Sequence, residues 1–435
     1  MTTKRVLLIC SYFSNPTHTG GFRWSSLARA LAERGWTLDI ISQYSADWPQ
    51  HALYDAENIT VYQVMETRWR VWLRNFLAAR QRPRNDAEGT SAEPPTPSPL
   101  QPLKETLRAV AELVRDWSWV RRAGRTAETL RKSREYDAVI ATSPLQLAQW
   151  LGARTASRAG VPYIADFRDP LYFGRGNALT ETNILTRLSW RLVERYALRR
   201  MSVAVDISEK SLHEVQAALP FRPADVPRRF IPSGYESREE TSRPNPNQFR
   251  IVFTGWLYPF DEIAPLFAAA ARLRHRHELM PDELSIDFMG TADHHNGVPL
   301  MTIAARHGLA DHFHQSPRQP REVADRLQQD AAVLVAFDSV TSNALCIPSK
   351  LYHYAPMYGD LLLLGMADGA MALEAAKIGV EAIRPSDQTR IDAALERAFD
   401  RWRRADYATT NDPHELFHFR HSAEKMHQLL LAVSR

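Results

Sequence analysis

Cysteine and long apolar runs are the scarcest features of this chain. Only Cys10 and Cys346 occur among its 435 residues, which excludes a disulfide framework and a cysteine-based metal cluster and favours a reducing compartment. No run approaches the roughly 18 consecutive apolar residues that a transmembrane helix needs. The apolar stretch 6–10 is also too short for the core of a signal peptide. We therefore expect a cytoplasmic protein.

Lysine is also scarce, and the positive charge is unevenly distributed. The chain carries seven lysines among 54 basic residues, and its net charge is +4. Residues 61–135 alone hold 15 basic and 9 acidic side chains, so the remainder of the chain is net negative. The excess charge points to an anionic partner for that segment.

Short apolar strands alternate with amphipathic helices along the chain. The first unit of the pattern is a strand at 4–10, a loop at 11–21, a helix at 22–35 and a strand at 37–41. Similar alternation continues to residue 235 and restarts at residue 249. Such alternation predicts an α/β fold with parallel sheets covered by helices, and the length predicts two Rossmann-like, doubly wound domains.

The predicted boundaries follow the polar interruptions of the pattern. We expect an N-terminal domain at 1–235, a linker at 236–248, a second domain at 249–410 and a C-terminal helix within 411–435 that packs back on the first domain. The segment 85–103 is rich in Pro, Ser and Thr and is predicted to be a mobile loop within an insertion at about 61–135.

Three positions in the first loop and helix are candidates for ligand binding. Gly20 and Gly21 follow the first strand, where glycines let backbone N–H groups approach an anion, although a tight turn explains them equally well. Arg23 adds a cation there and favours phosphate or carboxylate binding. His18 is a candidate general base, with a solvated loop histidine as the alternative.

A charged cluster ends the predicted strand at 162–166. Asp166, Arg168 and Asp169 lie where doubly wound sheets place their active sites. We weigh two interpretations equally: a catalytic or acceptor-binding role, and an internal Asp–Arg pair that holds the loop.

The second half contains its own candidate anion site. Ser349 and Lys350 are predicted to begin a helix, whose N-terminus favours negative charge, and Gly255 ends the first strand of this half. No metal site is expected, because His294, His295 and the His312/His314 pair lack suitable partners and are interpreted as solvated loop residues.

The basic segment 61–135 is also aromatic. Its four tryptophans, Trp69, Trp72, Trp117 and Trp119, alternate with arginines at helical spacing. Such a face suits an anionic membrane surface. Nucleic acid is disfavoured because no nucleic-acid-binding pattern accompanies it, and the remaining alternative is a pair of helices whose tryptophans pack onto the first domain.

Together these motifs resemble GT-B glycosyltransferases, and specifically the family 4-like group of bacterial polysaccharide and glycolipid enzymes. The resemblance rests on four stretches that span nearly the whole chain. They are the Gly-Gly-x-Arg loop and helix at 20–35, the Asp-x-Arg-Asp-Pro motif at 166–170, the run from Gly308 to Ala336, and the Pro-Ser-Lys-Leu-Tyr-His-Tyr-Ala motif at 348–355.

The resemblance implies two domains across a cleft and sugar transfer from a nucleotide sugar, such as a UDP- or GDP-sugar, without a metal or other cofactor. It implies that the donor and its phosphates contact Gly20, Gly21, Arg23, Gly255, Ser349, Lys350, His353 and Tyr354, that Asp166 contacts the acceptor, and that Asp169, Arg168 and His18 act in catalysis. A lipid-linked or glycan acceptor, a bacterial polysaccharide or glycoconjugate pathway, a retaining course and peripheral contact with the inner face of the membrane are implied as well.

The chain departs from the family pattern at the donor site. Leu345 and His353 stand where many members carry two glutamates, Asp360 replaces a usual proline, and no Arg or Lys follows Gly255. Two other functions therefore stay open: a GT-B-like binding or scaffold protein that has lost catalysis, and a GT-B sugar-nucleotide epimerase.

Overall fold

The chain forms two compact units that each contain one parallel sheet. The computed structural model describes residues 4–15, 19–44, 56–65, 101–143, 146–168, 184–217, 226–236, 242–258, 261–291, 293–338, 345 and 347–434. The first unit comprises Met1–Asp206, Val215–Arg229 and Ala423–Arg435, and the second comprises Ile207–Glu214 and Phe230–Ser422.

The first unit contains a seven-stranded sheet of order β3-β2-β1-β4-β5-β6-β7. Its strands are β1 (Arg5–Ile9), β2 (Thr37–Tyr44), β3 (Ile59–Met65), β4 (Ala138–Thr142), β5 (Tyr163–Phe167), β6 (Val203–Asp206) and β7 (Arg228–Phe230). The helices over this part of the chain are α1 (Thr19–Glu33), α2 (Gln101–Ser133), α3 (Gln146–Ala159), α4 (Ile184–Leu198) and α5 (Glu209–Ala217). Strands β1 to β6 pair in parallel, and chain order reverses between β1 and β4.

The second unit contains a six-stranded parallel sheet of order β12-β9-β8-β13-β14-β15. Its strands are β8 (Phe249–Thr254), β9 (Leu284–Met289), β12 (Phe313–Ser316), β13 (Val333–Phe337), β14 (Asp360–Leu364) and β15 (Ala382–Ile383), beside a hairpin of β10 (His294–His295) and β11 (Val298–Pro299). The helices are α6 (Ala264–His277), α7 (Leu300–Arg306), α8 (Arg321–Gln329), α9 (Ser349–Tyr354), α10 (Ala370–Ala375) and α11 (Gln388–Arg403). The last helix, α12 (Phe419–Val433), belongs to the first unit from Ala423 onward.

Both sheets are buried on two faces, as parallel sheets between helix layers require. All five residues of β4, β5 and β13 are buried, which explains their continuous apolar sequences. The predicted α/β architecture with two doubly wound parallel sheets is therefore confirmed. Within the described residues no helix is long and apolar enough to cross a membrane.

The C-terminal helix α12 contacts the segment that follows α1. Trp36, which follows α1, donates a hydrogen bond from its indole Nε1 to Nδ1 of His427 in α12 at 2.9 Å. Arg34 forms an ion pair of 3.4 Å with Glu424. The last residues, from Ala423, thereby complete the first unit rather than the second.

Candidate functional site

Chain order also reverses in the second sheet, between its neighbouring strands β8 and β13. Ligands of open α/β sheets bind beyond the carboxyl ends of the strands at such a reversal. Gly255 follows β8 with φ +108°, a backbone conformation that favours glycine, and Asp338 follows β13. This edge is therefore the candidate ligand-binding edge of the second unit.

Lys350 occupies the same edge from the first turn of α9. A Cβ atom added to Gly255 would lie 3.3 Å from the Lys350 ammonium, so the missing side chain makes room for the cation. The ammonium also lies 4.8 Å from the centre of the Phe253 ring. Among the described residues no carboxylate is within ion-pair distance of it, so this cation is available to an anion that comes from outside.

Burial tunes the protonation of Lys350. Loss of water around the ammonium lowers its pKa to about 8, and the charge of Asp261 acts in the opposite direction. The side chain therefore still carries its proton at neutral pH. An anionic ligand would stabilise that charged form further and raise the pKa.

Two aspartates accompany the lysine. Asp261 lies in the segment after β8 and accepts a hydrogen bond from the backbone N–H of Tyr258 at 2.8 Å. Burial raises its pKa, whereas that hydrogen bond and the charges of Lys350 and His295 lower it. Burial raises the pKa of Asp338 to about 7, with a second contribution from the negative charge of Asp261, whereas the positive charge of Lys210 acts in the opposite direction.

Asp338 should make stability fall as the pH rises. Between the ordinary pKa of 3.8 and about 7 the native state holds a proton that the unfolded chain has released, so raising the pH favours unfolding. From pH 6 to pH 7.5 we expect a loss of about 1 kcal/mol from this group. Urea unfolding at both pH values should show this loss in the wild type and a smaller one in Asp338→Asn. An equal loss of unfolding free energy between pH 6 and pH 7.5 in the two proteins would contradict the assignment.

Tyr354 serves the end of β8 rather than solvent. Its side chain is fully buried, and its hydroxyl lies 3.2 Å from the backbone N–H and 3.1 Å from the Oγ1 of Thr254. Gln328 donates to the same Oγ1 at 3.0 Å. These contacts give Tyr354 a positioning role next to Gly255, and its contact with the donor stays a prediction. Ser349 and His353 are partly exposed on α9, a helix of six residues.

In the first unit, Arg23 and Asp166 form a buried ion pair. Asp166 is fully buried and Arg23 is 1% exposed, with 3.2 Å between Arg23 Nη2 and Asp166 Oδ1. The indole of Trp24 donates to the other carboxylate oxygen at 2.8 Å. The ion-pair partner of Asp166 is thus Arg23 of α1, which lies outside the charged cluster in which the sequence analysis considered an internal pair. This pairing gives both residues a structural role, and the donor contact of Arg23 and the acceptor contact of Asp166 stay predictions.

Gly20 and Gly21 lie inside the first turn of α1, which begins at Thr19 and not after the glycines as expected. A Cβ atom on Gly21 would lie 2.6 Å from the carbonyl oxygen of Tyr12. The glycine is therefore required by the close approach of the preceding loop to the helix. That packing supplies a structural reason for the motif that is independent of any ligand.

The remaining candidates of the first unit lie at the end of β5 or outside the described residues. The backbone N–H of Arg168 donates to the Oγ of Ser143 at 2.9 Å, which joins the ends of β5 and β4. His18 and Asp169 fall outside the described residues. Cys10, after β1, is no thiolate nucleophile, because burial raises the pKa of its thiol to about 12.

The described part of the basic-aromatic segment divides between core and surface. Trp119 is 2% exposed and packs in the core of the first unit. Trp117 is 40% exposed and contacts Trp150 edge to face at 5.3 Å between ring centres. Trp69, Trp72 and residues 85–100 lie outside the described residues. For Trp119 the structure thus favours packing over surface binding.

Two of the histidines that were considered as metal ligands have hydrogen-bond partners of their own. His295 Nε2 lies 3.2 Å from the Tyr258 carbonyl oxygen, and His312 Nε2 lies 3.2 Å from that of Leu279. His312 is buried, which corrects its interpretation as a solvated residue. No group of His, Cys, Asp or Glu in the described part of the chain is arranged to hold a metal ion.

Sequence reasoning missed Asp338 and assigned no role to Asp261 or Trp24. Asp338 directly follows the apolar run at 331–337, and the argument that singled out Asp166 at the end of its strand applies to it equally. Asp261 carries no comparable signal, because its burial depends on how the loop after β8 folds.

Solved structures of similar fold are known, although no family model and no curated protein matches the sequence. The chain is similar to sucrose-phosphate synthase from Thermosynechococcus elongatus, with a TM-score of 0.61 and 14% identity over 99% of this chain and 100% of that one. It is also similar to an α,α-trehalose-phosphate synthase (UDP-forming) from Burkholderia xenovorans in complex with glucose-6-phosphate, with a TM-score of 0.61 and 15% identity over 98% and 100% of the two chains. A third is HepE from Anabaena in complex with UDP and glucose, with a TM-score of 0.57 and 14% identity over 99% and 100%.

These similarities identify the class of fold. The chain has the GT-B fold of nucleotide-sugar-dependent glycosyltransferases, with one Rossmann-like sheet in each unit. At identities of 15% or below these similarities establish the fold, whereas function depends on the residues of the site.

Proposed function

We propose that the protein is a glycosyltransferase that transfers a sugar from a nucleotide-sugar donor. The observation that carries this proposal is the Lys350 ammonium, which lies against Gly255 at the strand reversal of the second sheet with no carboxylate paired to it among the described residues. The GT-B fold adds support. The similarity to HepE covers that whole chain, and the HepE structure is a complex with UDP and glucose.

In this proposal the second unit binds the donor and the first unit binds the acceptor. Lys350 contacts the diphosphate, the backbone at Gly255 lies beside it, and Ser349 and His353 border the same ligand. Stabilisation of the departing diphosphate is the main catalytic effect of such a cation, since negative charge develops there as the glycosidic bond breaks. Gly20, Gly21 and the Arg23–Asp166 pair shape the first unit's loop, and Arg168, Asp169 and His18 remain proposed contributors to catalysis.

The finer assignments follow the family resemblance. We propose a lipid-linked or glycan acceptor in bacterial polysaccharide or glycoconjugate synthesis, transfer with retention, and no need for a metal because Lys350 supplies the positive charge. The outward-facing Arg121, Arg125 and Lys132 of α2 are suited to a peripheral contact with an anionic membrane surface on its cytoplasmic side. That contact, through residues 61–135, stays a prediction.

A ligand panel tests the proposed function directly. Thermal unfolding would be followed with UDP, GDP and ADP, with their glucose conjugates, and with inorganic pyrophosphate as the control for charge alone. One nucleotide series should stabilise the protein by about 2.7 kcal/mol at a hundredfold excess over its Kd, and pyrophosphate should stabilise it less. No stabilisation by any nucleotide or nucleotide sugar would contradict the proposal.

A further inference from the structure

Two aspartates lie at the strand reversal of the second sheet with an incomplete set of hydrogen bonds. Asp338 directly follows β13, and Asp261 lies in the segment after the adjacent strand β8. Asp338 is 3% exposed and Asp261 is 4% exposed. Both side chains are therefore almost completely buried, and they lie at the edge where a ligand of this sheet is expected.

Each aspartate has a buried carboxylate oxygen without a partner. Asp261 accepts the Tyr258 N–H through Oδ2, whereas its Oδ1 has no hydrogen-bond partner among the described residues. The same holds for Oδ2 of Asp338. An unsatisfied buried acceptor loses its hydration without compensation, so each atom destabilises the protein in the absence of a donor.

An internal structural role does not account for these groups. Neither carboxylate is in a salt bridge within the described part of the chain, in contrast to Asp360, which pairs with Arg401. Gly365, after β14, packs closely against Asp338, because a Cβ atom added to it would lie only 2.5 Å from the Asp338 Cβ. The fold thus keeps two costly carboxylates where apolar side chains would be more stable.

We propose that Asp261 and Asp338 accept hydrogen bonds from ring hydroxyl groups of the nucleotide-sugar donor. This inference rests on the proposed function and adds the residues that select the sugar part of the ligand. A carboxylate repels phosphate and accepts from O–H groups, while Lys350 attracts phosphate, so the three side chains divide the donor between them. They also supply acceptors at a site where Leu345 and His353 provide no carboxylate.

Two rings of a nucleotide sugar carry suitable hydroxyls, namely the ribose and the transferred sugar. The shared chemistry is an alcohol O–H that donates to a buried carboxylate oxygen. The raised pKa of Asp338, about 7, is consistent with an acceptor that lacks its donor in the unliganded protein. Binding of hydroxyls to the ionised form should be strongest above that pH.

Calorimetric titration at pH 8 distinguishes the two sources. The proteins are the wild type, Asp338→Asn, Asp261→Asn and the matched control Asp311→Asn, whose exposed aspartate precedes β12 at the opposite edge of the sheet. The ligands are UDP, 2′,3′-dideoxy-UDP and UDP-glucose, or the guanosine series if the wild type binds it instead. We expect the two site variants to bind UDP-glucose about 10- to 100-fold more weakly and the control to be unchanged.

The pattern across ligands assigns the hydroxyl. If the ribose hydroxyls donate to the aspartates, the site variants also bind UDP more weakly, and they bind dideoxy-UDP as tightly as the wild type. If the hydroxyls of the transferred sugar donate to the aspartates, the site variants bind UDP as tightly as the wild type and only UDP-glucose more weakly. Site variants that bind every ligand as tightly as the wild type, or more tightly, would overturn the inference while leaving the proposed function intact. A wild type that binds no nucleotide would contradict the proposed function itself.

Discussion

Replacing Lys350 by methionine is expected to lower the rate of sugar transfer by about 10²- to 10³-fold, the usual cost of removing one stabilising group from developing negative charge. Methionine keeps the length and the apolar contacts of the side chain, including those with the Phe253 ring, but removes the cation. Because the charge of the leaving diphosphate grows as the bond breaks, the loss should appear in kcat more than in KM.

Donor hydrolysis or transfer with the nucleotide sugar that stabilises the wild type provides the measurement. Lys350→Arg keeps the charge on a larger group and should recover part of the activity, whereas Lys425→Met, at an exposed position of α12, should behave as the wild type. Lys350→Met should remain folded, since burying the ammonium is itself unfavourable and lowers its pKa to about 8. A folded Lys350→Met protein with undiminished turnover would rule out this role.

The strands were predictable from sequence because burial on both faces forces continuous apolar runs. Strands β1 and β5, predicted at 4–10 and 162–166, each begin and end within one residue of their predicted bounds. The start of α1 was not predictable in this way, because the glycines suggested a loop. Gly21 instead lies in the first turn of the helix, where the close approach of the Tyr12 carbonyl requires a glycine. A tertiary contact therefore overrides the local conformational preference of the glycines.

The candidate site was predictable only in part. Lys350 could be found from a motif and from the scarcity of lysine, since both are properties of the chain itself. The partner of Arg23 could not, because Asp166 is 143 positions away and meets it only when β5 and α1 are in place. Whether a charged residue faces a ligand or another residue is decided by burial, which a single sequence does not reveal.

Replacing Asp166 by alanine is expected to destabilise the first unit by about 3–5 kcal/mol, the usual cost of breaking a buried ion pair. The change leaves the Arg23 guanidinium, 1% exposed, without its carboxylate, and it leaves the Trp24 indole without its acceptor. Arg23→Met should cost less than Asp166→Ala, because the Asp166 carboxylate keeps the hydrogen bond from Trp24.

Denaturant unfolding of the two single variants and of the double variant Arg23→Met/Asp166→Leu measures the coupling between them. The double variant should be more stable than the sum of the single losses predicts, because no uncompensated charge remains buried. Asp392→Ala is the matched control, since it breaks the exposed pair with Arg272 and should cost only about 0.2–1 kcal/mol. If Asp166→Ala instead kept wild-type stability and lost transfer activity, Asp166 would be a ligand-binding residue and the internal pair would not be its role.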